Sequence, residues 1–107
     1  MNKKYIISKN EEISNIVKNG KKVVSRNLIV YYIENKQEKN RYCFSVSKKI
    51  GNAVTRNSIR RKIKDILMKN PQNFNKDYVI IARKGILNLD HNKLKEEILY
   101  VIKEKIK

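Results

Sequence analysis

The chain has 107 residues, 40% apolar and 34% charged, with 26 Lys and Arg against 10 Asp and Glu, giving a formal net charge of +16. That length suits one domain over 1–107. Self-repulsion this strong favours a polyanionic partner, nucleic acid ahead of an anionic membrane. A single cysteine, Cys43, excludes an internal disulfide, and a single histidine, His91, excludes a Cys/His zinc cluster. No apolar run reaches the length of a membrane span or forms a signal peptide, so a cytoplasmic location is expected.

Residues 1–7 read as a basic arm. The spacing predicts a first helix over 9–19, with Ser8 and Glu11 as a capping box or Asn10 as the alternative cap, and Ile13, Ile16 and Val17 as a narrow apolar face. Gly20 is placed as its C′ stop. Residues 21–24 read as a short strand. Residues 27–34 read as a stronger one, rich in β-branched and aromatic side chains. Over 41–47, Tyr42, Phe44 and Val46 alternate with Cys43, Ser45 and Ser47, as expected of a half-buried strand. A helix is predicted over 53–69, ended by Asn70-Pro71, followed by a polar loop at 72–76. Residues 77–83 form a near-continuous apolar run, the pattern of a central strand. Lys84-Gly85 breaks it. The last helix is predicted over 91–106, with Asp90 as N-cap, Leu89 and Leu94 as a hydrophobic staple, and Leu94, Ile98, Val101 and Ile102 as its buried stripe.

The order α-β-β-β-α-β-α gives an α/β (α+β) two-layer sandwich, with helices packed on one four-stranded mixed sheet. If strands 41–47 and 77–83 are parallel, the general handedness rule favours a right-handed crossover between them.

The segment 48–64 carries most of the chemistry. It holds Lys48, Lys49, Arg56, Arg60, Arg61, Lys62 and Lys64, with no acid until Asp65. On the predicted helix, Arg56, Arg60 and Lys64 stand at i, i+4 and i+8, with Asn57 and Arg61 in the adjacent row. Ile59, Ile63, Ile66 and Leu67 fall on another side, at the spacing of a buried stripe. Like charges at i, i+4 destabilise a free helix by a few tenths of a kcal/mol per pair. A bound polyanion offsets that cost. Arginine adds a planar fork for phosphate. Lys48-Lys49-Ile50-Gly51-Asn52 places two ammonium groups and backbone N–H groups near the helix start, which suits an anion. Tyr31 and Tyr32 point to opposite faces of their strand, and one of them is a candidate stacking platform for unpaired bases. The acids form no metal-ligand pattern and no acid–base pair, and no phosphate-loop motif is present, so no catalytic residue and no metal site is assigned.

The run Phe44-Ser45-Val46-Ser47-Lys48-Lys49-Ile50-Gly51-Asn52-Ala53-Val54-Thr55-Arg56-Asn57, continuing through Ile59-Arg60-Arg61, closely resembles the protein subunit of bacterial ribonuclease P. Lys9-Asn10-Glu11-Glu12, Gly20, Arg26, Tyr31 and residues 77–83 fall in that family's order. The resemblance implies a ribonucleoprotein that removes the 5′ leader from precursor tRNA. The catalytic RNA, with bound Mg²⁺, carries the chemistry, and the protein assists. It implies RNA contacts at Lys48, Lys49, Asn52, Arg56, Asn57, Arg60, Arg61 and Lys64, and a leader cleft containing Ile13, Val17, Ile29 and Tyr31. It also implies an uncommon left-handed crossover. No membrane partner and no required protein oligomer are expected. Ser58 stands where the family's pattern has a further arginine. Lys64 keeps charge but not the fork. Ile13 and Val17 replace aromatics with aliphatic contacts. The alternative reading is a general or ribosomal RNA-binding protein without a processing role.

Overall fold

The computed structural model describes residues 5–37, 39–70 and 75–106. Residues 1–4 of the expected basic arm, Pro71, and 72–74 of the expected polar loop lie outside them. The elements are α1 (Asn10–Asn19), β1 (Lys21–Val24), β2 (Leu28–Glu34), β3 (Arg41–Ser45), α2 (Ala53–Lys69), β4 (Lys76–Ala82) and α3 (His91–Leu99), with a 3₁₀ turn at Lys84–Asn88 before α3. The predicted order holds. The last helix is not uniform: α3 passes into a π-helical segment at Tyr100–Lys105, closed by Ile106 N–H donating to the Val101 carbonyl at 3.1 Å. Its predicted stripe is nonetheless buried throughout.

The four strands form one mixed sheet in the order β1-β2-β4-β3. β2 runs antiparallel to both β1 and β4, and β3 runs parallel to β4 with α2 as the crossover. β4 is therefore central, which explains its continuous apolar sequence: Tyr78, Val79 and Ile80 are each 2% exposed or less.

The helices divide between the two faces. On one, Leu28, Val30, Tyr32, Tyr42, Tyr78 and Ile80 pack beneath α2 and α3, reached by Ile59, Ile63, Ile66 and Leu67 of α2 and Leu94 and Ile98 of α3. Tyr78 stacks on Tyr42 with ring centroids 5.3 Å apart. On the other face lies α1, and the buried cluster there, among the described residues, is Ile7, Ile16 and Val79.

Two expectations at α1 are corrected. The helix begins after Lys9, with no side-chain cap, so the Ser8–Glu11 box does not form. Gly20 is not a left-handed stop, for its φ is −80°. Glycine is needed there for space. A Cβ would sit 2.5 and 2.6 Å from the carbonyl oxygens of Ile16 and Tyr32, where the chain turns from α1 against β2. At the other end of the basic helix, Asn70 Nδ2 donates to the Ile66 carbonyl at 2.8 Å and satisfies one of the helix's last acceptors.

Candidate nucleic-acid interface

α2 holds its aliphatic stripe in the core, and this fixes where its cations go. Lys64 lies beside edge strand β3, one turn along α2 from Arg60. Its Nζ is 5.8 Å from the Phe44 ring centroid. Arg60 stands close enough to Cys43 for its positive charge to favour the thiolate, although burial is the larger influence and raises the thiol's pKa. Asp65 is engaged by Lys69 at 3.2 Å, one turn further on. Among the described residues, no acid pairs with Arg56, Arg60, Arg61 or Lys64. Arg56 Nε is buried without a hydrogen-bond partner there.

Two asparagines of the predicted contact set have local work. Asn52 caps α2, its Oδ1 accepting from Thr55 N–H at 2.9 Å. Asn57 Oδ1 accepts from Arg60 Nη1 at 2.8 Å and orients that fork. Lys48 and Lys49 are exposed in the preceding turn. The turn's N–H groups are less free than the sequence implies, because Lys49 N–H donates to Ser47 Oγ and Ile50 N–H to the Ser47 carbonyl.

The sheet face under α1 forms the second part of the site. One helix about 10 Å wide does not cover a sheet of four strands at ~4.8 Å spacing. Ile13 and Tyr31 pack on the small cluster together with Ile33, Cys43 and Ile81, all only partly buried. Ile29 is half-buried one pleat along from Tyr31, opposite Ile81. Val17 points outward, 39% exposed. An apolar trough therefore runs beside α1, floored by Tyr31, Ile81 and Cys43. Sequence reasoning missed Ile81, Cys43 and Lys22 as part of it. Lys22 Nζ stands 5.6 Å over the Tyr31 ring, because residues 22 and 31 are cross-strand partners. That pairing is legible only once the register of β1 on β2 is known. Lys64 lies over the Phe44 ring on β3, and the next residue of that strand, Cys43, packs on the α1 side, so the cationic row borders the trough.

The trough wall is fixed electrostatically. Arg41 Nε and Nη2 clamp Asp77 at 2.9 and 2.7 Å, while Asn35 Nδ2 donates to the same carboxylate at 2.7 Å. Arg41 Nη1 reaches Glu12 on α1 at 3.4 Å. This ties the helix to the sheet.

The family model described as Ribonuclease P matches residues 1–105. Ribonuclease P protein component of Carboxydothermus hydrogenoformans is 46% identical over 107 residues, covering 96% of this chain and 92% of the relative. That of Streptococcus agalactiae serotype Ia is 40% identical over 106 residues, covering 96% and 95%. Among solved structures, the RNase P protein of Staphylococcus aureus superposes with a TM-score of 0.89 at 34% identity, covering 95% of each chain. That of Thermotoga maritima gives 0.81 at 26% identity, covering 90% of this chain and 92% of the other.

Proposed function

The chain belongs to the ribonuclease P protein family, and from that membership we propose how its surface is used in an RNA-based endoribonuclease that matures the 5′ end of tRNA. The protein is the accessory subunit. Lys48, Lys49, Arg56, Arg60, Arg61 and Lys64 hold phosphates of the catalytic RNA, with Asn52 and Asn57 setting the helix start and the Arg60 fork. The trough of Ile13, Val17, Ile29 and Tyr31 takes the unpaired 5′ leader of precursor tRNA. Tyr31 stacks on a base while Lys22 and Arg60 flank the leader's phosphates.

The observation that carries this reading is the adjacency of the two surfaces on β3: a cationic row without acid partners among the described residues, reaching Phe44 through Lys64, borders a half-open apolar sheet face that includes Cys43 and Tyr31. A double helix needs only the first. A single strand led away from a structured RNA uses both.

Mg²⁺ belongs to the RNA in this reading. Asp77 is clamped by Arg41, Asp90 caps α3, Asp65 pairs with Lys69 and Glu97 holds a turn. Among the described residues, no three His, Cys, Asp or Glu side chains converge as metal ligands. The chain's contribution is to neutralise phosphates where enzyme RNA and substrate meet. This lowers their mutual repulsion and hence the Mg²⁺ needed.

The test is cleavage of a 5′-extended precursor tRNA at low Mg²⁺ by the cognate catalytic RNA alone, the protein alone, and both together. Cleavage at the mature 5′ end only with both is expected. No gain over RNA alone, with RNA binding retained, overturns the proposal and leaves a general RNA-binding protein.

A further inference from the structure

At one end of the sheet, three connections stand side by side. The turn between β1 and β2 (residues 25–27), the exit of β4 (Arg83, Lys84) and the exit of β3 toward Lys48 and Lys49 follow the strand order across about 14 Å. Arg26, Arg83, Lys84, Lys48 and Lys49 are all exposed there.

The first two connections are locked to each other. Glu97 of α3 reaches into the β1–β2 turn, where its carboxylate accepts from Ser25 Oγ, from Asn27 N–H at 2.9 Å and from Asn27 Nδ2 at 2.7 Å. Asn27 is 5% exposed. Its carbonyl accepts from Arg83 N–H at 2.9 Å, and Arg83 Nη1 donates to the Ser25 carbonyl at 2.9 Å. A side chain at Gly85 would collide with Asn27 Oδ1, so only glycine lets the 3₁₀ turn close against it. The Glu97 carboxylate is engaged by neutral donors. Among the described residues, Arg26 and Lys84 have no acid partner.

A turn secured from three directions, with its charge-bearing side chains left outward, is a rigid display of cations. We propose that Arg26, Arg83 and Lys84 form a second phosphate-binding surface that grips the backbone of the catalytic RNA. Continuity decides the partner. The surface extends the Lys48–Lys49 turn around the sheet end, away from the trough that takes the leader. The inference rests on the reading of Lys48 and Lys49 as contacts to that RNA.

The experiment measures binding of the cognate catalytic RNA against salt for the wild-type protein, for Arg26→Gln/Lys84→Gln and for Lys48→Gln/Lys49→Gln. Neither Arg26 nor Lys84 is buried or hydrogen-bonded through its side chain, so an unchanged melting temperature is expected. Each lost phosphate contact removes about 0.7–0.9 from the slope of log affinity against log salt. Arg26→Gln/Lys84→Gln is expected to flatten the slope by about 1.5 and weaken binding at least about tenfold near 0.1 M salt. A wild-type slope and affinity in that variant, while Lys48→Gln/Lys49→Gln flattens the slope, overturns the second surface and spares the functional reading. Normal holoenzyme assembly with weakened precursor-tRNA binding places the surface on the substrate and overturns the assignment to the catalytic RNA. A wild-type protein that fails to bind the catalytic RNA overturns the functional reading itself.

Discussion

Under α2 and α3 the sheet is sealed, with Leu28, Val30, Tyr78 and Ile80 each 1% exposed or less; under α1, among the described residues, only Ile7, Ile16 and Val79 are closed off, and Tyr31, Ile33 and Ile81 remain partly open. Two helices span the sheet on one side, and a single helix of 10 residues does so on the other. The same alternation along β2 feeds both faces, so composition does not separate them. Coverage does. The sealed face stabilises the fold, and the open one leaves apolar area for something else to bury.

The comparison breaks if a sealed-face truncation proves cheap. Ile80→Ala is expected to cost about 2–5 kcal/mol, the range for deleting a buried aliphatic. Thermal and urea melts read it directly, and the affinity of the folded fraction for RNA should hold. On the open face the effect should move from stability to binding. Tyr31→Ala is expected to weaken a leader-bearing precursor by about 1–3 kcal/mol, the worth of one base–aromatic stack. Binding of leaderless tRNA should not change, and the melting temperature should shift little. Equal losses for both tRNAs contradict a leader trough.

A smaller effect sharpens the sealed side. Burial pushes the Tyr78 phenol well above its ordinary 10.0, with the nearby Tyr42 and Tyr32 adding to the rise. Burial raises Tyr42 as well, partly opposed by a hydrogen bond with Asn40. Below about pH 10 both folded and unfolded chains keep these protons and stability is full. Above it the unfolded chain ionises while the folded one resists, so stability falls as pH rises through the folded-state pKa values. Tyr78 Oη is buried without a hydrogen-bond partner among the described residues. Tyr78→Phe is therefore expected to raise stability by about 1 kcal/mol near neutrality and to make the alkaline decline shallower. Melting temperatures followed from about pH 7 to 11 test both parts.

Most elements could be read from the residues because each had a local cause. The stripe Ile59, Ile63, Ile66 and Leu67 and the break at Asn70 placed α2 over Ala53–Lys69. Asp90 caps α3 as expected, accepting from Lys93 N–H at 2.8 Å. What was not legible depends on residues far apart in the chain. Nothing local shows that Gly20 faces the Tyr32 carbonyl, that Glu97 serves the turn at 25–27, or that α1 lies opposite the other helices. The start of α1 misled for a different reason. Ser8 and Glu11 have the spacing of a capping box, but a helix beginning at Asn10 puts both out of register for it. At the candidate site, the α2 row was readable from periodicity. The trough floor at Cys43 and Ile81 was not, because only pairing of β3 and β2 with β4 sets Ile81 diagonal to Tyr31 and Cys43 in the same cross-strand row, beyond Val79.

The strand order β1-β2-β4-β3 has a consequence for biosynthesis. The strand that joins the two halves of the sheet is the last one made. Until residues 76–82 are synthesised, β3 lacks its main partner and α2 has no completed sheet on which to bury its stripe. The whole cationic run from Lys48 to Lys64 therefore leaves the ribosome before the strand that orders it. Non-local pairing of this kind also slows folding. The nascent chain thus emerges, basic and still open, beside the large RNA surface of the machine that makes it.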